Sequence, residues 1–440
     1  METITHPVFF AVFIYILSLF FAFWRPHRLS IAWPPLIGAL LIYLFGVLTW
    51  TDVVEVIGRV WNAALSILSL VLLAISLGQI GMFEWAAIHM VRLSRGNGRL
   101  LLLNISLMTG LVAAIFSAYA AVFILTPVMI EIARKINGRG TNPIPLTVTV
   151  AFMSAAAALP FTISHPINQL AADMAQVGFL SFLLRMAIPF VVALAVSAVA
   201  LMLFFMRRVP VVFSVPTLKH PYQAIRNLTL FRLAWVMVVL TAVGYVFGDL
   251  LGIPSSLVAL LAAVCLMVAV RRMPDVSVIE MVREAPWSLM FFMFGVLILI
   301  YGFVNVDLAL HLSEWLAGLI HRGPFVAVLG SGFVSALLAA LIHQIPSTFL
   351  FTESILATET SPLIGESLFY AQLIGAHYGQ LLAPFGTVAA LMAVDEFIGY
   401  KGRDKRQEET GIAAGLTLAV PILFLTLCGL YLGLKLLHLE

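Results

Sequence analysis

The chain has 440 residues, of which 62% are hydrophobic and only 10% charged, and its mean hydropathy is +1.08. No soluble domain presents that much apolar surface, whereas a chain whose outer helices face lipid does. The net charge of +3 is small, so the information lies in where the charges fall.

The first apolar run, 5–23, follows an N-terminus with no basic start, and Arg25 and Arg28 come after it; it reads as a retained span rather than a cleaved leader. Single crossings fit at 31–49, 62–80, 180–205, 231–248, 255–270, 286–303 and 411–437, since a helix needs roughly 20 apolar residues to cross hydrocarbon. Four stretches, 100–133, 144–177, 324–357 and 367–396, are too long for one plain crossing and short for two. Cys265 and Cys428 lie in apolar runs and read as small hydrophobes, not a disulfide pair. Around Glu84–Trp85 and Glu314–Trp315, two short amphipathic segments read as helices at headgroup level.

Loop charge resolves the four long stretches. With the N-terminus outside, all of the 24 Lys and Arg residues fall inside except Arg59, Arg185, Arg322 and Lys435. Stretch 100–133 must then start and end inside as a re-entrant hairpin with its tip near Ser117. Stretch 324–357 is the matching hairpin from outside, with its tip near His343. Stretches 144–177 and 367–396 become single crossings interrupted at Pro160 to Asn168 and at Gly375 to Thr387.

The sequence repeats itself in the same order. LVAAIFSAY at 111–119 is echoed by LLAALIHQI at 337–345, and ALPFT at 158–162 by LAPFGT at 382–387. The expected fold is an all-α polytopic membrane protein: an inverted repeat of two halves, each of five transmembrane helices plus one re-entrant hairpin, with broken helices at mid-membrane. The halves are 1–208 and 231–440, joined by a basic cytoplasmic linker at 209–230, and both termini are expected outside. Repeats of this kind carry their site at the broken segments.

Irregular backbone at membrane depth survives only where protein or a water-filled cavity covers it. The helix breaks are expected at Pro160, Pro166, Pro346, Gly379, Pro384 and Gly386. Ser117, Tyr119, Ser164, Asn168, Gln344, Ser347, Thr348 and Thr387 would offer hydrogen bonds to an oxygen-rich solute. His165, His343 and His377 are the ionisable groups at the breaks and would carry protons; none of the 21 acidic residues falls deep in a predicted crossing. No carboxylate or cysteine stands beside the histidines, so no metal site or cofactor is expected, nor a nucleophile–base pair that would mark an enzyme.

FEWAAIH at 83–89, GNGRLLL at 96–102, FILTP at 123–127, Ala158 to Pro160, Ser164 with Asn168, Ala172 with Asp173, and Trp287 with Tyr301 and Gly302 together resemble the arsenite/antimonite efflux permease family of the ion transporter superfamily. The resemblance runs from about residue 8 to 435. It implies proton-driven export of the neutral trihydroxide of As(III) or Sb(III) across a bacterial inner membrane, in some members with an ATPase subunit attached. The chain departs from the family pattern at Gly78, Gln79, Ala118, Tyr119, Ala155, His343, Gln344, His377 and Leu381. These changes remove the family's intramembrane charges and leave histidine at three breaks.

The expected partners are therefore a small metalloid solute, protons and the bilayer, with no nucleic acid. An alternative keeps the architecture and moves a small carboxylate or inorganic oxyanion; a different class is a channel or a non-transporting receptor. Lipid-facing and subunit-facing apolar surfaces share a composition, so the sequence carries no oligomeric signal.

Overall fold

The computed structural model describes residues 5–26, 29–135, 142–210, 212–213, 220–274, 276–304, 308–383 and 405–437, and the fold is all-helical. In chain order the helices are α1 (Thr5–Trp24), α2 (Trp33–Leu44), α3 (Trp50–Ile80), α4 (Met82–Leu93), α5 (Gly98–Phe116), α6 (Ala118–Lys135), α7 (Ile144–Ala156), α8 (Pro166–Ala175) and α9 (Phe179–Phe205). They continue as α10 (Leu228–Leu250), α11 (Ser255–Val270), α12 (Val278–Arg283), α13 (Trp287–Val304), α14 (Leu308–Ile320), α15 (Pro324–Ile342), α16 (Gln344–Leu356), α17 (Pro362–Leu382) and α18 (Lys405–Leu437). Among the described residues, seven helical segments are long and apolar enough to cross a membrane.

Burial separates the centre from the rim. In α3 the most apolar window is 83% buried, against 22% in α10. A helix apolar all round belongs in a protein interior or in lipid, and these two take the opposite choices. Trp235, Val236, Val239, Leu240, Val243 and Phe247 of α10 stand exposed, as a lipid-facing surface would.

Helix α3 starts at a capping box, with the Asp52 N–H donating to Thr49 Oγ1 (3.3 Å) and the Thr49 N–H donating to Asp52 Oδ2 (2.7 Å). It stops at Gly81, whose φ of 90° is open to glycine and whose missing Cβ would stand 1.8 Å from the Ala224 carbonyl oxygen. The segment between α9 and α10 docks there: Arg226 N donates to Ile80 O (3.1 Å), and Phe213 N donates to Gly96 O (2.8 Å).

Helices α15 and α17 pack through small residues. Added Cβ atoms would stand 2.0 Å from the Gly332 carbonyl oxygen at Gly375, and 2.2 Å from that of Ala336 at Gly379. The Ser335 hydroxyl donates across to Gln372 O (2.7 Å). Small residues four apart let two membrane helices approach backbone to backbone. Gly379 is thus not the helix break expected from the sequence. Helix α17 runs unbroken through Gly375 and Gly379 to Leu382, and both glycines are contact surfaces. Pro384, Gly386 and Thr387 lie outside the described residues.

Candidate solute site at the helix breaks

Three helices begin abruptly inside the protein. Between α5 and α6 stands Ser117 (φ 90°, ψ 153°), and between α15 and α16 stands His343 (φ 72°, ψ 149°). Positive φ at a residue with a Cβ costs on the order of 1–3 kcal/mol and persists only where the surroundings enforce it. At Ser117 the side chain caps α6, with the Ala120 N–H donating to Oγ (3.3 Å). Helices α5 and α6 pack on each other, as do α15 and α16.

The third break follows α7. Backbone from Ala157 to His165 is non-helical apart from one tight turn at Thr162–Ser164, and α8 then starts with Pro166 at its first position. Pro160 sits inside this break, and its neighbours' carbonyls need donors that water cannot supply there. Asn168 provides them, donating through Nδ2 to Ala158 O (2.9 Å) and Phe161 O (3.1 Å). Ser164 ties the break to the first hairpin by donating its hydroxyl to Ala114 O (2.6 Å).

His165 is the hub. Its ring lies 5.3 Å from that of Tyr119 on α6 and 4.7 Å from that of His377 on α17. Its Nε2 is 3.4 Å from Gln344 Nε2 on α16, and its Nδ1 accepts the Ile167 N–H (3.4 Å). With Nδ1 accepting, the neutral ring carries its proton on Nε2, which calls for an acceptor. Turning the Gln344 amide over places Oε1 opposite that proton, and the two amide orientations are distinguished only by such hydrogen bonds. Gln344 also faces the Tyr119 hydroxyl. His377 Nε2 and Asn168 Oδ1 are 2.9 Å apart, which completes a link from α17 to the third break.

Tyr119, His165, Asn168, Gln344 and His377 therefore meet. Their roles differ. Asn168 and Ser164 spend their polar atoms on the scaffold. Ser347 Oγ and Thr348 Oγ1, both on the first turns of α16, are buried without a hydrogen-bond partner. Pro346 lies in the first turn of α16, three residues beyond His343, and is not itself the break. His343 marks the second tip, with its ring 5.3 Å from that of Phe292 on α13.

Two contributors carried no sequence signal. Tyr15 on α1 donates its hydroxyl to Ile342 O, the last carbonyl of α15. Gln372 on α17 donates to Thr352 Oγ1 (3.2 Å) and leaves its own Oε1 buried and unpaired. Among the described residues, the hydrogen bonds and ring contacts of the hub include no Asp or Glu. No group of three or more His, Cys, Asp or Glu able to hold a metal ion occurs among the described residues.

A family model described as arsenical pump membrane protein matches residues 10–434. This chain belongs to that family. Within it, the arsenical pump membrane protein of Escherichia coli is 31% identical over 424 residues, covering 96% of this chain and 98% of the relative. That of Yersinia enterocolitica is 31% identical with the same coverage. Among solved structures, the Alcanivorax borkumensis YdaH transporter, described as having an unusual topology, aligns over 98% of both chains with a TM-score of 0.50 and 16% identity. That likeness speaks to fold. As an arsenical pump membrane protein family member with seven apolar helical segments, the chain is an integral membrane protein of transporter type.

Proposed function

We propose that the protein is a secondary transporter that exports arsenite or antimonite as the neutral trihydroxide, in exchange for protons, across a bacterial inner membrane. The observation that carries this reading is the pair of buried, unpaired hydroxyls on α16 beside a hub that, among the described residues, contains histidines, amides and a phenol but no carboxylate. An uncharged solute bearing hydroxyls needs hydrogen-bond partners and no counter-charge. An unpaired buried polar group costs about 1–3 kcal/mol, which a bound hydroxyl would relieve. Family membership supplies the metalloid; the site supplies the reason a neutral form suits it.

In this reading Gln344, Ser347 and Thr348 contact the solute, with Tyr119 beside them, and Thr387 is assigned the same role from the sequence alone. His165 and His377 at the hub, and His343 at the second tip, hold the coupling protons. The matching backbone at Ser117 and His343 supports a repeat of two halves, 1–208 and 231–440, and the distribution of Lys and Arg favours opposite orientations, with the hairpins entering from opposite faces. Both termini then lie outside. The test is arsenite and antimonite resistance in a bacterial host stripped of its own pumps, together with As(III) uptake into everted vesicles driven by a proton gradient. Protection against neither metalloid overturns the reading.

A further inference from the structure

A polar cavity distinct from the hub lies beyond the third break, at the end of the molecule where α8 gives way to α9 and α10 to α11. It encloses about 320 Å³ and its wall includes Asn62, Gln169, Asp173, Tyr245, Asp249 and Ser255. Asp173 is held rigidly: Asn62 Nδ2 donates to both of its carboxylate oxygens (3.0 and 2.9 Å), and Gln169 Nε2 donates to Oδ1 (2.8 Å). The amide oxygens are oriented in turn, Gln169 Oε1 by the Ser255 hydroxyl (2.9 Å) and Asn62 Oδ1 by the Ser256 N–H (3.3 Å). Asp249 comes from α10 and lies over Gly178, where a Cβ would stand 2.8 Å from its Oδ2. Tyr245 is 5% exposed, forms part of the wall, and its hydroxyl has no hydrogen-bond partner.

Two carboxylates thus share one cavity whose described wall includes no Lys, Arg or His. The starts of α9 and α11 border it and offset about half a charge each. A net negative charge remains in a half-enclosed space, and a bound cation would offset it. All the available ligands are oxygens, the set that hard cations take. There are too few carboxylates to strip an ion of its water. The volume, however, has room for a hydration shell at about 30 Å³ per water. We propose that this cavity binds one hydrated hard divalent cation, Mg²⁺ or Ca²⁺, through Asp173 and Asp249, with the Tyr245 hydroxyl contacting its water shell.

The site is independent of what the protein transports, so its test uses binding alone. Mn²⁺ added to the purified full-length protein in detergent is followed by electron paramagnetic resonance, with Mg²⁺ and Ca²⁺ as competitors and choline chloride matched for ionic strength. One saturable Mn²⁺ per chain is expected, displaced by Mg²⁺ or Ca²⁺ and not by choline. Asp173→Asn and Asp249→Asn should each weaken it at least ten-fold, and Tyr245→Phe more modestly. Should Asp173→Asn fail to fold, Asp249→Asn decides the matter, because Asp249 stands outside the Asn62–Asp173–Gln169 network. Absence of saturable binding, or unchanged affinity in Asp249→Asn, overturns the proposal.

Discussion

His165 and His343 do the same job at the starts of two different helices. Each accepts through Nδ1 the N–H two residues ahead, Ile167 and Ile345, at 3.4 Å in both cases. An imidazole can cap a helix this way only while Nδ1 is unprotonated, so the cap is present in the neutral ring and lost as pH falls and the second proton arrives. A protonated ring also faces the positive end of its own helix. Proton binding and helix-start geometry are coupled at both breaks.

Replacing the ring with a non-titrating cap separates these effects. His343→Asn keeps an acceptor at the cap position, so its thermal midpoint should stay near that of the parent while the pH dependence of vesicle transport flattens. His343→Ala should flatten the profile as well and lose about 1 kcal/mol of stability with the cap. A pH profile in His343→Asn that matches the parent would reduce the ring to a structural cap.

Glycines on α17 make a purely structural prediction. Gly379→Ala forces a Cβ to 2.2 Å from the Ala336 carbonyl oxygen, a backbone atom that cannot swing aside. Overpacking of this kind costs about 1–3 kcal/mol, so the variant should unfold at lower temperature in detergent. Gly58→Ala has nothing within 4 Å of the added methyl and should be neutral or slightly stabilising.

Gly379 also shows where the sequence misleads. A glycine in an apolar run reads equally well as a break or as a close helix contact, and only the position of α15 decides between them. The breaks at Ser117, His343 and Pro160 were legible because the motifs around them recur in the second half with polar residues that have no reason to sit in lipid. Asn168 was legible as important but not as scaffold, since its donors go to carbonyls 7 and 10 residues back that only a broken helix exposes. Tyr15 was invisible. It meets the second tip across 327 residues from an otherwise plain apolar helix.

Two ion pairs join distant parts of the chain near the ends of their helices. Arg59 on α3 pairs with Glu353 on α16, and Arg185 on α9 pairs with Glu366 on α17 (2.7 Å). Partly exposed pairs contribute little, about 0.2–1 kcal/mol. Glu366→Gln should therefore lower the thermal midpoint only slightly, and the swap Arg185→Glu with Glu366→Arg should recover it. If transport requires α9 and α17 to part, a reducible bifunctional thiol cross-linker joining Arg185→Cys and Glu366→Cys should stop uptake until reductant is added. Undiminished transport by the cross-linked double variant would show that this contact stays closed throughout the cycle.

Ser347 and Thr348 give the sharpest separation of binding from folding. Their hydroxyls are buried and make no internal hydrogen bond, so removing them takes nothing from the folded protein and relieves a desolvation cost. Ser347→Ala and Thr348→Val should match or exceed the parent in thermal midpoint. If these atoms hold the solute, the same variants should raise the KM for As(III) uptake several-fold, since each lost hydrogen bond is worth about 0.5–1.5 kcal/mol. Asn168→Ala is the contrasting case. It strands the Ala158 and Phe161 carbonyls, at about 1–3 kcal/mol each, and should lower stability and transport together. A KM unchanged in both Ser347→Ala and Thr348→Val would move the solute away from α16.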